Sequence, residues 1–178
     1  MSAVIGIIVG SASDLNVAAK ASGLLEEFGV QFEVGIASAH RTPDDVVRYA
    51  TGAAARGILA IIAMAGLSAA LPGVIAAHTT LPVIGVPIAS EPLSGFDALT
   101  AIAQMPPGVP VACMGIDGAR NAALMALRIA AVRDESLSGK LAEWAERSAE
   151  SVRQSREKIA ELGGMRRVPE HAFKGEAE

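Results

Sequence analysis

Val4-Ile5-Gly6-Ile7-Ile8-Val9-Gly10-Ser11-Ala12-Ser13-Asp14 is the stretch that decides the fold. Six apolar or small residues run without polar alternation, as in a strand buried on both faces, and only a sheet covered by helices on both sides provides that burial. The run then breaks into a glycine, two serines and an aspartate, and helical spacing follows over Leu15–Phe28. Strand, small polar turn and helix in that order open a βαβ unit.

The same grammar repeats outward from this start. Apolar β-rich runs at Phe32–Ile36, Ile58–Met64, Val83–Ile88 and Val109–Ile116 alternate with helical patterns at Pro43–Arg56, Leu71–His78 and Phe96–Met105. Thr42-Pro43-Asp44-Asp45 reads as a helix start, with a capping hydroxyl, a proline at the first helical position and early acids. Gly29 and Gly57 stand where helix C-caps belong. Five strands joined by crossovers predict an α/β fold, a doubly wound parallel sheet of flavodoxin-like or Rossmann-like type. Ala119–Val132 adds an alanine-rich helix, and Glu135–Leu162 reads as a long charged helix with Leu141, Trp144, Ser148 and Val152 on one face. Such a face cannot bury itself, so it is expected to dock on another subunit. The chain therefore divides into a domain over 1–133, a terminal helix over 134–162 and a polar tail over 163–178, expected to be mobile.

Composition narrows the function. Hydrophobic residues make up 51% and charged residues 19%, which excludes disorder over most of the length. Tyr49 and Trp144 are the sole Tyr and Trp, too few to build a stacking platform for bases or flavin rings. A net charge of −4 argues against nucleic acid as a partner. Cys113 is alone, so no intrachain disulfide forms, which suits a reducing compartment. The apolar start lacks a basic leader segment and reads as a strand. No apolar run reaches the ~18 residues of a membrane span. The expectation is a soluble, cytoplasmic protein.

Ligands of doubly wound sheets bind outside the carboxyl ends of the strands. Polar and small residues gather at those ends here: Gly10–Asp14, Ser38–Pro43, Ala65–Gly73 and Ala89-Ser90. Backbone N–H groups, the Ser11 and Ser13 hydroxyls and the Asp14 carboxylate at a helix start suit a phosphate plus ribose hydroxyls. Equally, Ser13 or Asp14 could serve only as a helix cap. His40 beside Arg41 can transfer protons next to a cation that holds an anionic substrate. The alternative is a loop histidine satisfied by backbone, with Arg41 solvated. The glycines of Ala65–Gly73 let backbone approach a ligand, or serve helix–strand packing. His78, mid-helix among alanines, reads as structural, and His171 receives no role. No set of residues has metal-ligand spacing, and no Ser-His-Asp order stands out.

Taken together, these pieces resemble the PurE family, the N(5)-carboxyaminoimidazole ribonucleotide mutases and aminoimidazole ribonucleotide carboxylases. The resemblance rests on Gly10-Ser11-Ala12-Ser13-Asp14 in phase with Ser38-Ala39-His40-Arg41-Thr42-Pro43, and on Leu71-Pro72-Gly73. Leu81–Pro87, Leu93–Leu99, Gln104-Met105-Pro106 and Asn121–Leu124 extend it. It implies a flavodoxin-like three-layer domain assembled as a homo-octamer, with active sites where subunits meet. It also implies that Ser11 and Asp14 bind a ribonucleotide, that Arg41 holds its anionic end and that His40 is the general acid/base. Ser13, Ser38, Gly66 and Ser68 would line the pocket. The implied ligands are a small-molecule ribonucleotide and CO2, with no metal or organic cofactor.

One stretch departs from the mutase pattern. Where the common bacterial mutase has Gly-Gly-Ala-Ala-His-Leu-Pro-Gly, this chain has Gly66-Leu67-Ser68-Ala69-Ala70-Leu71-Pro72-Gly73, so Ala70 replaces a second family histidine. Ser68 and Ala70 lean towards the carboxylases; Arg41 and the Leu93–Leu99 block lean towards the mutases. The reading favours a mutase, with a carboxylase using free CO2 or an inactive assembly paralog as alternatives. A phosphoacceptor receiver domain would need acidic strand ends where Ala63-Met64-Ala65-Gly66 has none. A flavin carrier would need aromatic residues at the pocket.

Overall fold

The computed structural model describes residues 4–161, 164 and 167–173. Its core is a parallel sheet of β1 (Val4–Val9), β2 (Gln31–Ile36), β3 (Ile58–Ala65), β4 (Val83–Pro87) and β5 (Ala112–Cys113) in the order β2-β1-β3-β4-β5. That order is the flavodoxin-like one. Helix α1 (Leu15–Phe28) packs with α5 (Ala119–Ala131) on one face; α2 (Pro43–Ala53), α3 (Leu71–Ala77) and α4 (Phe96–Ala103) cover the other.

Burial on both faces explains the unbroken apolar runs. Ile61, Ala63 and Ala65 of β3 join Val46 and Ala50 of α2, Leu71 and Ile75 of α3, and Ile102 of α4 in one buried cluster. The alternate residues Ala60, Ile62 and Met64 are equally buried on the opposite face. Each fully buried Ile or Met contributes about 1.5–3 kcal/mol, so the strands are held by the two helix layers rather than by propensity alone.

Several boundaries differ from the sequence reading. β5 spans two residues instead of the expected Val109–Ile116. Pro110 lacks a ladder donor, and beyond Cys113 the chain continues only as single bonds, Met114 N–H to the Gly85 carbonyl (2.8 Å) and Asp117 N–H to the Pro87 carbonyl (2.8 Å). His78 is not mid-helix: α3 ends at Ala77, and His78 is its exposed C-cap. Gly29 and Gly57 take the left-handed conformation expected of C-caps, at φ 70° and 83°.

The chain forms two compact units, Met1–Ser138 and Gly139–Glu178. The long helix α6 covers Glu135–Ser155 and tightens into a 3-10 turn at Arg156–Glu161; the expected end at Leu162 lies outside the described residues. Within the second unit Arg153 pairs with Glu146 (2.7 Å) and Glu150 (3.1 Å), and Arg156 lies 4.1 Å from the Phe173 ring centroid. Of the face read from sequence, Leu141 and Trp144 are half-buried and Val152 is exposed. Glu170–Phe173 forms a short 3-10 turn; the rest of the expected mobile tail falls largely outside the described residues.

Candidate active site

The chain leaves β1 towards β2 on one side and returns to β3 on the other, so the loops after β1 and β3 diverge at the carboxyl end of the sheet. A cleft of about 620 Å³ opens there. All eight residues singled out from sequence line it: Ser11, Ser13 and Asp14 after β1, Ser38, His40 and Arg41 after β2, Gly66 and Ser68 after β3.

After β1, the Gly10 N–H donates to the Met64 carbonyl (3.2 Å) and ties the turn to β3. Ser11 is extended, and Ala12–Asp14 makes one 3-10 turn before α1. Neither Ser13 nor Asp14 caps α1 through its side chain. Instead the Ser13 hydroxyl donates to Asp14 Oδ1 (3.0 Å), and Asp14 is buried at 9% exposure. A carboxylate offers about four acceptor positions, so one hydroxyl leaves most of them for a ligand's hydroxyl groups.

After β2 the chain knots itself around Ser38. The Ser38 N–H donates to Thr42 Oγ1 (2.9 Å), and the Thr42 N–H donates back to the Ser38 carbonyl (2.9 Å). The Thr42 hydroxyl therefore closes this turn and makes no cap bond to α2, although Pro43 occupies the first helical position as expected. The Ser38 hydroxyl accepts from the Arg41 N–H (3.3 Å) and from Arg41 Nε (3.4 Å). Arg41 Nη2 reaches across to the Gly10 carbonyl (3.2 Å), joining the β1 and β2 ends. A guanidinium has five N–H donors, so this bracing leaves others for an anion. His40 sits inside the turn, exposed in the cleft.

After β3 the backbone is strained. Leu67 and Ala69 both lie in the left-handed region, at φ 53° and 26°, and the Ala69 N–H closes on the Gly66 carbonyl (3.1 Å). A non-glycine residue held there costs about 1–2 kcal/mol, and such strain collects at functional sites. A Cβ on Gly66 would stand 3.2 Å from the Ser90 hydroxyl and 3.4 Å from the Ile88 carbonyl, so glycine is what lets the β3 and β4 ends meet. Ala70 begins α3 and offers the cleft only a methyl group.

The sequence reading placed Ser90 at a strand's carboxyl end without giving it a role, and it left out Asp117. Ser90 closes the cleft from β4, and its place at a strand's carboxyl end was the available signal. Asp117, at φ 55°, accepts the Ala89 N–H on Oδ1 (3.0 Å) and braces the β4 end from the loop before α5; the Asp117-Gly118 turn signal marks it. Among the described residues no group of three His, Cys, Asp or Glu side chains could hold a metal ion, and no helix is long and apolar enough to cross a membrane.

A doubly wound sheet whose switch-point cleft carries a histidine, an arginine and a buried aspartate defines a small-molecule enzyme of the flavodoxin-like class. The comparisons narrow this further. A family model described as AIR carboxylase matches residues 4–151. The N5-carboxyaminoimidazole ribonucleotide mutase of Pyrococcus horikoshii is 49% identical over 93% of this chain and 94% of its own. The phosphoribosylaminoimidazole carboxylase of Saccharomyces cerevisiae is 48% identical over 89% of this chain, which corresponds to 28% of the yeast protein. The crystal structure of Treponema denticola PurE superposes with a TM-score of 0.80 at 28% identity, covering 88% of this chain and 98% of that one. The chain belongs to the AIR carboxylase family.

Proposed function

We propose that this chain interconverts N(5)-carboxyaminoimidazole ribonucleotide and 4-carboxy-5-aminoimidazole ribonucleotide in purine biosynthesis. The observation that carries the reading is the convergence of His40, Arg41 and Asp14 on one switch-point cleft. The Gly10–Asp14 turn receives the ribonucleotide through backbone N–H groups, the Ser11 hydroxyl and the Asp14 carboxylate. Arg41 holds the anionic end, where a charge-assisted bond is stronger than a neutral one. The N–carboxylate bond breaks to give CO2, and His40 supplies the proton that the exocyclic 5-amino nitrogen regains. Ring carbon 4 then attacks the trapped CO2, and His40 takes the proton that carbon 4 loses. Electrons and protons balance, so no oxidant or reductant is required. Gly66 and the strained Leu67–Ala69 turn line the cleft, whose closure around a ligand would suit retention of a neutral gas molecule.

Large apolar side chains stand exposed on β2 (Val34, Ile36) and around the start of α4 (Leu93, Phe96). Surface of this kind supports a homo-oligomer, taken as an octamer with sites near subunit boundaries. The lone Cys113 suits a cytoplasmic location. A second reading, the carboxylase, is favoured by Ser68 and Ala70 in the β3–α3 turn. Labelled bicarbonate separates the two. Supplied with the N-carboxylated substrate, the enzyme should form product with little label, because the carboxyl group arrives attached. Heavy labelling, with good turnover of the bare aminoimidazole ribonucleotide, would establish the carboxylase instead. No conversion of either substrate would leave an assembly paralog.

A further inference from the structure

Three buried side-chain polar atoms lack a hydrogen-bond partner among the described residues: the Tyr49 hydroxyl, Asp97 Oδ1 and the Ser90 hydroxyl. A buried polar group without a partner carries a desolvation cost that folding does not recover, and each instance calls for a reason. The Tyr49 hydroxyl is pressed against Gly6 of β1, away from the cleft. Asp97 lies in the first turn of α4, also outside it. Ser90 alone belongs to the cleft wall.

Its position limits what it can meet. The groups suited to phosphate and ribose stand at the ends of β1 and β2, whereas Ser90 stands at the end of β4, two strands from β1. Neighbouring strands lie about 4.8 Å apart, so the span is roughly 10 Å, on the order of a ribonucleotide's reach from phosphate to base. A ligand anchored at β1 and β2 therefore extends over Gly66 towards Ser90. The bare glycine makes room for this approach, since a Cβ there would crowd the hydroxyl at 3.2 Å. Ile88 and Ala89 line the cleft beside Ser90.

We infer that Ser90 is a substrate-binding residue whose hydroxyl donates to the carboxyl group being moved. This rests on the function proposed above. A hydroxyl is neutral and keeps its proton throughout, so it serves a carboxylate oxygen in either isomer and a CO2 oxygen between them.

The test compares two ligands on wild type and Ser90→Ala: the bare aminoimidazole ribonucleotide and its 4-carboxy derivative. Affinity for the carboxylated ligand should fall on the order of 10- to 100-fold, as for a lost bond to a charged group. Affinity for the bare ribonucleotide should stay at the wild-type value. The melting temperature should hold or rise, because the substitution removes an unpartnered buried oxygen. An equal loss for both ligands, no loss for either, or a fall in melting temperature would overturn the assignment. Wild type binding neither ribonucleotide would sink the functional reading itself, whereas normal binding of both by Ser90→Ala would sink Ser90 alone.

Discussion

Two polar clusters of this molecule use similar residue types to opposite ends. On the α2 face of the sheet, Glu33 of β2 pairs with Arg56 at 2.9 Å, and the Arg56 guanidinium lies 4.8 Å from the Tyr49 ring centroid. The side-chain bond to Arg56 holds the Glu33 carboxyl below its ordinary range, and burial pushes the Tyr49 phenol up. The charges meet each other there and seal the layer between helix and strand. At the carboxyl rim, Asp14 and Arg41 line the same cleft but are each tied elsewhere: Asp14 to the Ser13 hydroxyl, Arg41 to the Gly10 carbonyl and Ser38. An opposite-charge pair that closes on itself stabilises a surface; one whose members are braced from behind keeps its interaction capacity for a ligand. The rim also carries the strained Leu67 and Ala69, a cost the sealed cluster does not bear.

Breaking the rim should cost function and little stability, and the largest effect belongs to His40. His40→Asn should fold and assemble as wild type, since the side chain is exposed, while turnover falls by about 10²–10⁴-fold, the usual range for losing a general acid/base. Steady-state rates alongside melting temperature read both halves, and activity within threefold of wild type would remove His40 from the mechanism.

Arg41→Met should come next. Losing a charge-assisted bond to an anion weakens nucleotide binding by about 10- to 100-fold. Added salt should weaken wild-type binding and leave the variant less affected. Binding that ignores both changes would mean Arg41 serves only its bonds to Gly10 and Ser38.

The sealed cluster should answer with the smallest effect and on stability alone. Both partners are more than a third exposed, so Glu33→Gln should cost under about 1 kcal/mol at neutral pH, with catalysis unchanged. Because the folded-state carboxyl titrates low, the pair's contribution is present above the ordinary carboxylate range of about 4.3 and is lost as pH falls through the lowered value. Urea midpoints followed downward from neutral pH should therefore converge for wild type and variant in acid. A constant gap across that range would show that the ion pair is not what the substitution removed.

Much of the rim was legible because its chemistry is local. Gly10–Asp14 and Ser38–Pro43 are contiguous polar strings ending buried strands, and a parallel sheet places all such ends on one side. Element boundaries were less legible where tertiary pairing decides them, as at β5, whose expected length shrank to Ala112–Cys113. The cap roles offered for Ser13, Asp14 and Thr42 could not be judged from sequence, since an Asp or Thr before a helix can face its own N–H groups or a neighbour. Here Thr42 turns back to Ser38, and Asp14 turns into the cleft wall beside Ser13.

The order of apolar runs and polar turns was enough to determine a two-sided parallel sheet, its helix layers and the rim on which chemistry could sit, because hydrophobic burial and turn chemistry act over short stretches of chain. Which rim groups meet depended on strand order. Only the placement of β3 between β1 and β4 brings Gly66 against Ser90, and only the adjacency of β1 and β2 lets Arg41 reach Gly10. Those contacts join residues 24 and 31 positions apart, a separation at which no local pattern in the chain reports on proximity.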